Sequence, residues 1–394
     1  MTPRIREIPD LDPLAWLAAR PFGERFYWQD RRGNEFAALG SVARPATFEE
    51  AQRLLDSPDR VIVGALDFDA AAEPWPGFAR CGLRVPRILI RKTAEATRQY
   101  LFHPEDEFEE TPAAALKGLP SLAYHRTDLP DAAGWAERVN DALAHIERGE
   151  FMKVVPARRT RLELSEAPDP FALLAALKKI TPNCFHFLIE GEGGCWLGAS
   201  PEMLYSRRGR SLQTEAVAGT RARGSTPEED VELGATLSRD LKESEEHAAV
   251  VGMIRDTLEK FSDRMAPAGP RHLLKLARVQ HLITEFSADL RPRIGDADLL
   301  RALHPTPATC GLHVVAAREW IQRQEPFSRG YYAGPVGWMS SAEACFAVGL
   351  RSALLRDSTL ELFAGAGIVR GSRPEHEWRE LNSKIGDWLS LFES

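Results

Sequence analysis

Short apolar runs separated by glycine, proline and aspartate fill the first hundred residues. They predict strands at residues 26–29, 61–63 and 88–90. Residues 104–131 are rich in proline and acidic residues, which indicates a long surface connection without packed structure. After it, residues 132–146 carry apolar positions at the helical period and stop before Gly149, so they predict a helix.

A β-like run at residues 151–164 is followed by alternating helices and strands to the end of the chain. One long helix begins with Thr226 as N-cap and Glu229 three residues later, a capping box, and is expected to reach about residue 261. A second begins near Ser372 and is expected to reach about residue 391. Strands joined by tight turns, with long helices between them, predict an α/β (α+β) fold with an antiparallel component.

Composition and charge narrow the class of protein. The 394 residues are 44% hydrophobic and 27% charged, which is ordinary for a globular chain of one large domain or several smaller ones. A net charge of −7 argues against nucleic acid and anionic membranes as partners. The five cysteines are scattered and form no C-x-x-C pair, and the N-terminus does not resemble a signal peptide. We therefore expect a soluble, cytoplasmic protein.

Two pairs of acidic residues share a spacing of three on the two long helices. Glu243 and Glu246 lie on the first, and Glu377 and Glu380 on the second, with Lys384 one turn further. Each pair projects from one helix face beside an apolar stripe, an arrangement suited to a hard cation such as Mg²⁺. From the spacing alone, solvated acidic faces are the commoner explanation.

Lys153 and Glu202 are candidates for proton transfer. Lys153 interrupts the apolar residues 151–155, where desolvation would lower its pKa and make it a general base, although an edge-strand lysine is the commoner reading. Glu202 follows the strand-like residues 195–197 in a turn, where an acid is usually structural.

Six further residues are candidates for contacting a substrate, and five of them could bind an anion. Ala364, Gly365 and Gly367 precede the last helix, where their backbone N–H groups could approach an anion, although a plain turn is the better explanation of this element by itself. Arg351 and Tyr332 could bind a carboxylate, or form a salt bridge and a packed aromatic. His281 could lie beside a substrate, although a satisfied core histidine is more common.

The candidate residues described above lie in motifs whose order along the chain resembles that in the chorismate-utilising enzymes. This family includes isochorismate synthase, salicylate synthase and the large chains of anthranilate and aminodeoxychorismate synthases. The resemblance covers residues 135–394, and residues 26–40 are similar to the divergent part of isochorismate synthases. The matching motifs are KVVPAR from Lys153, SPE from Ser200, AGTRARG from Ala218, KESEEH from Lys242, VQHL from Val279, LHPTPA from Leu303, RGYYAGPVGW from Arg329, LRSA from Leu350 and AGAGIVRGSRPEHEWRE from Ala364.

The resemblance implies one large fold of two antiparallel sheets flanked by helices, with the site in a cleft between them. Residues 1–130 would be its divergent part and residues 131–394 the chorismate-binding catalytic region. It also implies Mg²⁺ held by Glu246 and Glu380, with Glu243 and Glu377 beside them. The residues implied to hold the substrate's carboxylates or face its ring are His281, Tyr332, Arg351, Ala364, Gly365, Gly367 and Lys384.

Within the family, the motifs are most similar to isochorismate synthases, which add water to chorismate and expel a hydroxyl group. Lys153 matches the base, which needs a lowered pKa, and Glu202 the acid, which needs a raised one. Water as nucleophile removes the need for a glutamine amidotransferase partner. The product would supply menaquinone or siderophore biosynthesis. Salicylate synthase and a non-catalytic chorismate-binding subunit stay open as alternatives. Residues 309–313 differ from those common in the family, and this difference bears on substrate specificity.

Overall fold

A computed structural model describes residues 2–21, 23–55, 57–108 and 115–393, and elements are numbered in chain order. The larger sheet has eleven antiparallel strands drawn from both ends of the chain. Across the sheet they are β1 (Arg4–Ile8), β6 (Thr97–Leu101), β5 (Ile88–Lys92), β3 (Glu35–Leu39), β2 (Arg25–Gln29), β10 (Phe185–Gly191), β11 (Gly194–Ser200), β20 (Ser352–Arg356), β21 (Thr359–Gly365), β9 (Ala157–Leu164) and β7 (Tyr124–Leu129).

The second sheet is also antiparallel and has eight strands. Its order is β14 (Ser262–Met265), β16 (Val279–Leu290), β13 (Ser211–Ala222), β12 (Met203–Arg208), β19 (Glu343–Val348), β18 (Pro335–Met339) and β4 (Ile62–Ala65), with β15 (His272–Lys275) also paired to β16. A separate two-stranded sheet joins β8 (Lys153–Val154) to β17 (Gly311–Leu312).

Helices flank the sheets. Over the described residues they are α1 (Pro13–Ala18), α2 (Phe48–Arg53), α3 (Ala132–Glu147), α4 (Pro170–Ile180), α5 (Pro227–Arg239), α6 (Leu241–Phe261), α7 (Asp296–Leu303), α8 (Val314–Gln324) and α9 (Pro374–Leu389). None of these described helices combines the length and the apolar character needed to cross a bilayer.

Aromatic side chains join the two sheets into one core. Phe36 of β3 stacks on Trp338 of β18 with ring centroids 4.5 Å apart. Trp196 of β11 lies 5.4 Å from the ring of Tyr331, which precedes β18. Burying a side chain of this size contributes about 1.5–3 kcal/mol to folding, so these contacts fix how the sheets meet.

The fold implied by the resemblance is confirmed, as are the predicted strands near residues 26, 61 and 88 and the helix at residues 132–146. Strands β1–β6 pair within the same two sheets as later strands, so both parts of the chain share one architecture. The division at residue 130 stays a prediction.

Three predicted boundaries were wrong. The long helix from Thr226 is interrupted at Asp240, which has an extended backbone (ψ 120°), ends α5 and caps α6. The run at residues 151–164 is two strands separated at residues 155–156, where proline lacks the N–H that a continuous ladder requires. The connection at residues 104–131 contains β7 at its end, while residues 109–114 lie outside the described residues.

Candidate active site

A cleft opens where strand ends of both sheets meet helices α6 and α9. Every predicted site residue except Lys153 lines it, and the Lys153 ammonium group contacts Glu246 at its edge. Residues more than two hundred positions apart in the sequence are thus brought to one place by the pairing of distant strands.

Helix α6 presents Glu243 and Glu246 to the cleft from one face, as their spacing predicts. The carboxylate of Asp240 caps the helix by accepting a hydrogen bond from the Glu243 N–H. The Glu243 side chain accepts one from the Thr220 N–H at 3.1 Å. Burial, followed by repulsion from Glu246 and Glu380, raises the pKa of Glu243 to about 7. Ionising the Glu243 carboxyl group in this site therefore costs more free energy than ionising it in water.

Helix α9 adds a second pair of carboxylates and a lysine to the same cleft. Lys384 lies 2.6 Å from Glu380 and donates a hydrogen bond to the Gly365 carbonyl at 2.8 Å. Lys242 of α6 lies 3.4 Å from Glu377, so a lysine of one helix pairs with an acid of the other. Burial and the nearby Glu380 carboxylate raise the pKa of Glu377.

Lys153 is almost completely buried, and its Nζ lies 2.6 Å from Glu246. Although burial opposes ionisation, the Lys153 ammonium group lowers the pKa of Glu246. The lysine is held in place because Val154 exchanges backbone hydrogen bonds with Ile368. A Cβ at Gly367 would lie 2.9 Å from Cε of Lys153 and 3.2 Å from Glu246, so glycine at this position makes room for the ion pair.

Glu202 stands in the turn between β11 and β12 and is 6% exposed. Its N–H donates to Ser200 Oγ at 3.3 Å, and its carbonyl accepts from the Val348 N–H at 3.1 Å. Burial, followed by the Glu215 carboxylate, raises the pKa of Glu202 to about 8, even though the Lys153 ammonium group lowers it. The carboxyl group is therefore mainly protonated at neutral pH and is able to donate a proton.

His281 lies near the start of β16, and its ring is held by hydrogen bonds to two groups of β13. Its Nδ1 is 3.1 Å from Thr220 Oγ1 and 3.3 Å from the Gly219 carbonyl oxygen. Burial, followed by the positive charges of Arg351 and Lys384, lowers the pKa of His281 to about 3. The imidazole is neutral at physiological pH and adds a polar ring to the cleft without adding charge.

Arg351 and Tyr332 stand on the wall beside α9. Arg351 has a φ of 49°, a left-handed conformation that is costly for a residue with a side chain. Its guanidinium donates to the Lys384 carbonyl at 3.3 Å and lies 4.0 Å from Asp387. Tyr332 stacks on Phe363 with centroids 5.3 Å apart, and burial raises the pKa of Tyr332 to about 12. The phenol therefore stays a hydrogen-bond donor.

The glycine-rich segment after β21 forms another side of the cleft. Ala364 and Gly365 end that strand and pair with β9. A Cβ at Gly365 would lie 3.1 Å from the Tyr332 hydroxyl oxygen. Neighbouring side chains therefore leave space only for small residues here, and small residues would also let a ligand approach the backbone.

Several lining residues were not singled out from the sequence. Lys242 stands in the KESEEH motif four residues before Glu246, and this helical spacing was the signal that both face the cleft. Thr220 belongs to the AGTRARG motif, and its contact with His281 becomes evident only when β13 and β16 are paired. Ala308, at the end of the LHPTPA segment, lines the cleft as well, next to Thr309, the first of the residues 309–313 noted for specificity.

The donor chemistry of the cleft fits a hard divalent cation. Carboxylate oxygens are the ligands that Mg²⁺ prefers, and mutual repulsion among the glutamates would be relieved by a bound cation. In the described part of the chain, no three His, Cys, Asp or Glu side chains already stand in a metal-holding group. Instead Glu246, Glu377 and Glu380 each have a lysine partner, so a cation would compete with these ammonium groups.

Comparison with known proteins agrees with this geometry. The chorismate binding enzyme family matches residues 2–393. The chain belongs to this family. The resemblance drawn from the motifs is thereby confirmed.

Individual family members are similar over nearly the whole chain. Isochorismate synthase MenF of Escherichia coli is 35% identical over 395 residues, covering 97% of this chain and 91% of that protein. The salicylate biosynthesis isochorismate synthase of Pseudomonas aeruginosa is 36% identical, covering 96% and 87%.

Solved structures of similar proteins show the same architecture. The structure of the menaquinone-specific isochorismate synthase MenF from Escherichia coli superposes with a TM-score of 0.88 at 33% identity, covering 99% of this chain and 95% of that one. Anthranilate synthase component I of Streptococcus pneumoniae, at 18% identity and a TM-score of 0.73, shares the fold.

Proposed function

We infer that the protein is an isochorismate synthase, which converts chorismate reversibly to isochorismate. The observation that carries this inference is a buried lysine, Lys153, and a buried carboxyl group with a raised pKa, Glu202, at one cleft. Chorismate isomerisation by water requires one group to take a proton and another to give one. Similarity to MenF over nearly the full length of both chains supports the same activity.

In the proposed reaction, Lys153 acts as the base and Glu202 as the acid. The lysine amine takes a proton from water as the water oxygen bonds to C2 of the ring. Both ring double bonds shift, from C1–C2 and C5–C6 to C1–C6 and C4–C5, and the bond from C4 to its hydroxyl oxygen breaks. Glu202 gives its proton to that oxygen, which leaves as water. After the product leaves, Lys153 gives its extra proton to solvent and Glu202 takes one from solvent, which restores both groups to their starting states.

The neighbouring groups would bind and orient the substrate. Arg351 and Tyr332 provide donors for a carboxylate, and Lys384 a further positive charge. The backbone at residues 364–367, with Ala364, Gly365 and Gly367, has little side chain to keep a carboxylate away. The neutral ring of His281 would face the substrate ring. We propose these roles from their common position in the cleft.

Charge balance supports Mg²⁺ as the metal. With Glu202 protonated and Lys153 a neutral amine, as the proposed reaction requires, the four helix glutamates face three cationic groups, Lys242, Lys384 and Arg351. Chorismate carries two carboxylates, so a divalent cation would supply the positive charge that the substrate requires. We propose that Glu246 and Glu380 hold it, with Glu243 and Glu377 beside them. Bound there, it would neutralise the glutamates and attract a substrate carboxylate.

A product assay tests the proposed function. The protein is incubated with chorismate and Mg²⁺ in the absence of ammonia, and the products are separated by chromatography and identified by NMR. Isochorismate in equilibrium with chorismate is expected. Salicylate with pyruvate would instead identify a salicylate synthase, and no turnover would identify a non-catalytic chorismate-binding subunit. No amidotransferase partner is needed because the nucleophile is water.

The cellular role follows from the relatives. We propose a supply of isochorismate to menaquinone biosynthesis because the MenF structure it resembles is described as menaquinone-specific. Siderophore biosynthesis is the second candidate, since isochorismate also leads to salicylate, as the name of the Pseudomonas relative indicates. All five cysteines are free thiols, which agrees with the proposed cytoplasmic location.

A further inference from the structure

An ion pair behind the cleft connects the N-terminal part of the chain to the proposed acid. Arg31, in the turn between β2 and β3, pairs with Glu215 of β13 through two hydrogen bonds of 2.9 and 2.6 Å. The Glu215 side chain is 1% exposed and that of Arg31 23%. The Arg31 guanidinium also packs 4.8 Å from the ring centre of Phe185, so both partners are held in fixed orientations.

This pair binds both peptide groups that flank Glu202. Arg31 Nη2 donates a hydrogen bond to the carbonyl of Pro201, on the N-terminal side of the glutamate. Glu215 Oε1 accepts one at 2.6 Å from the N–H of Met203, on the C-terminal side. Because these bonds fix the backbone on both sides, they determine where the Glu202 carboxyl group stands in the cleft.

We propose that Arg31 and Glu215 are positioning residues that hold the Glu202 turn and keep its carboxyl group ready to donate a proton. This role rests on the proposed function, in which Glu202 is the acid. Neither residue lines the cleft, so both act through the turn and through charge.

Charge gives the pair a second effect besides geometry. After burial, the Glu215 carboxylate is the largest influence that raises the pKa of Glu202. The cationic groups that act on Glu202 from other elements are Lys153, Arg31 and Lys384, and all of them lower its pKa. Removing the Glu215 charge alone therefore makes Glu202 lose its proton at lower pH.

The variant Glu215→Gln separates charge from shape. Its amide oxygen can still accept the Met203 N–H, while the negative charge is lost. We expect the alkaline fall of kcat/KM for isochorismate formation to move down by about one pH unit. A buried ion pair involving the same sheet, Arg207 of β12 with Asp296 of α7, provides the matched control. Asp296→Asn should leave the alkaline fall where it is in the unsubstituted enzyme.

Arg31→Lys tests the geometric role with a second variant. Lysine keeps the charge but lacks the fork that binds Glu215 and the Pro201 carbonyl together. We expect kcat to fall about tenfold, with KM changed less than about twofold, because the acid is misplaced and the binding groups are not. Thermal unfolding of both variants is measured alongside to establish that they fold.

The outcomes separate this inference from the proposed function. A shifted alkaline fall in Glu215→Gln and a reduced kcat in Arg31→Lys support the positioning role. If the unsubstituted enzyme forms isochorismate but neither folded variant differs from it in these respects, the positioning role is overturned while the function stands. If the unsubstituted enzyme forms no isochorismate, the proposed function is overturned, and the acid role of Glu202 with it.

Discussion

Lys153 is the residue whose replacement most clearly separates catalysis from binding. Lys153→Ala removes the proposed base but none of the groups that would hold the substrate carboxylates. We expect kcat to fall by about 10²–10⁴-fold, with chorismate still binding in calorimetry. Lys260→Ala, at an exposed position of α6, is the control and should behave as the unsubstituted enzyme. Retained turnover in Lys153→Ala would remove the lysine from its assigned role.

The raised pKa of Glu202 leads us to expect that activity depends on pH. Its active form is protonated, and burial with the Glu215 carboxylate raises its pKa to about 8. With respect to Glu202, activity should therefore decline as pH rises through about 8. The measurement is kcat/KM in a series of buffers with Mg²⁺ held constant. Glu202→Gln lacks the proton, so it should lose most activity at every pH, and an alkaline fall that persists in it would point to another group.

At this scale, motif resemblance predicted residues that the structure brings to one cleft, and their roles stay predictions. The helical spacing of Glu243 and Glu246 placed them correctly on one face, but spacing alone did not distinguish them from solvated acids. Arg31 and Glu215 could not be found in this way, because nothing local in the sequence links a turn residue to a strand 184 positions later. Their role depends on tertiary contacts with the peptide groups beside Glu202.

At the scale of elements, α6 and α9 meet at the proposed metal site. Glu246→Gln removes one carboxylate charge from this site without a large change in shape. We expect the Mg²⁺ concentration needed for half-maximal activity to rise by about 10–100-fold, as measured in a metal titration of the steady-state rate. The adjacent Glu245 is exposed on α6, so Glu245→Gln is the control. An unchanged metal requirement in Glu246→Gln would argue against Glu246 as a ligand.

A second buried ion pair joins the elements on the opposite side of the cleft. Arg329 binds Glu325 after α8 and donates to the carbonyl of Thr309 at 2.9 Å and that of Val155 at 2.7 Å. Glu325 in turn accepts from the Ala157 N–H at 2.7 Å. The pair thus holds the segment after Lys153 to a loop that lines the cleft.

Removing the arginine alone should destabilise the fold. Arg329→Met leaves the Glu325 carboxylate buried without its partner, which costs about 3–5 kcal/mol in the free energy of unfolding. Urea denaturation measures this change. The double variant Arg329→Met/Glu325→Gln should recover part of it, and Arg208→Met, from an exposed pair with Glu343, should change stability by less than about 0.5 kcal/mol. Equal stability of Arg329→Met and the unsubstituted protein would contradict the importance of the pair.

Elements with strong local signals were predicted correctly, and errors arose where local and tertiary signals conflict. The cap at Thr226 was predicted because its side chain and proline neighbour are local features. The break at Asp240 was missed because the helical pattern continues across it, and aspartate caps α6 while both helices pack on β13. Strand β7 was missed because its residues alternate between exposed and half-buried, and pairing with β9 decides its structure.

At the scale of the whole molecule, the two-sheet architecture was predicted by family resemblance and not by periodicity. The larger sheet places β10 and β11 between β2 and β20, so neighbours in space are far apart in sequence. Apolar patterns predict which face of a strand is buried but not which strand lies beside it. The order of strands therefore required either the structure or a known relative.

The most direct test of the account is the origin of the oxygen atom that isochorismate gains. Chorismate and Mg²⁺ are incubated with the enzyme in H₂¹⁸O, and isochorismate formed early in the reaction is analysed by mass spectrometry and NMR. If Lys153 activates water and Glu202 expels the original hydroxyl group, the product carries ¹⁸O at C2. Unlabelled isochorismate would mean that the hydroxyl group is transferred within the substrate, and would contradict the acid–base mechanism proposed for this cleft.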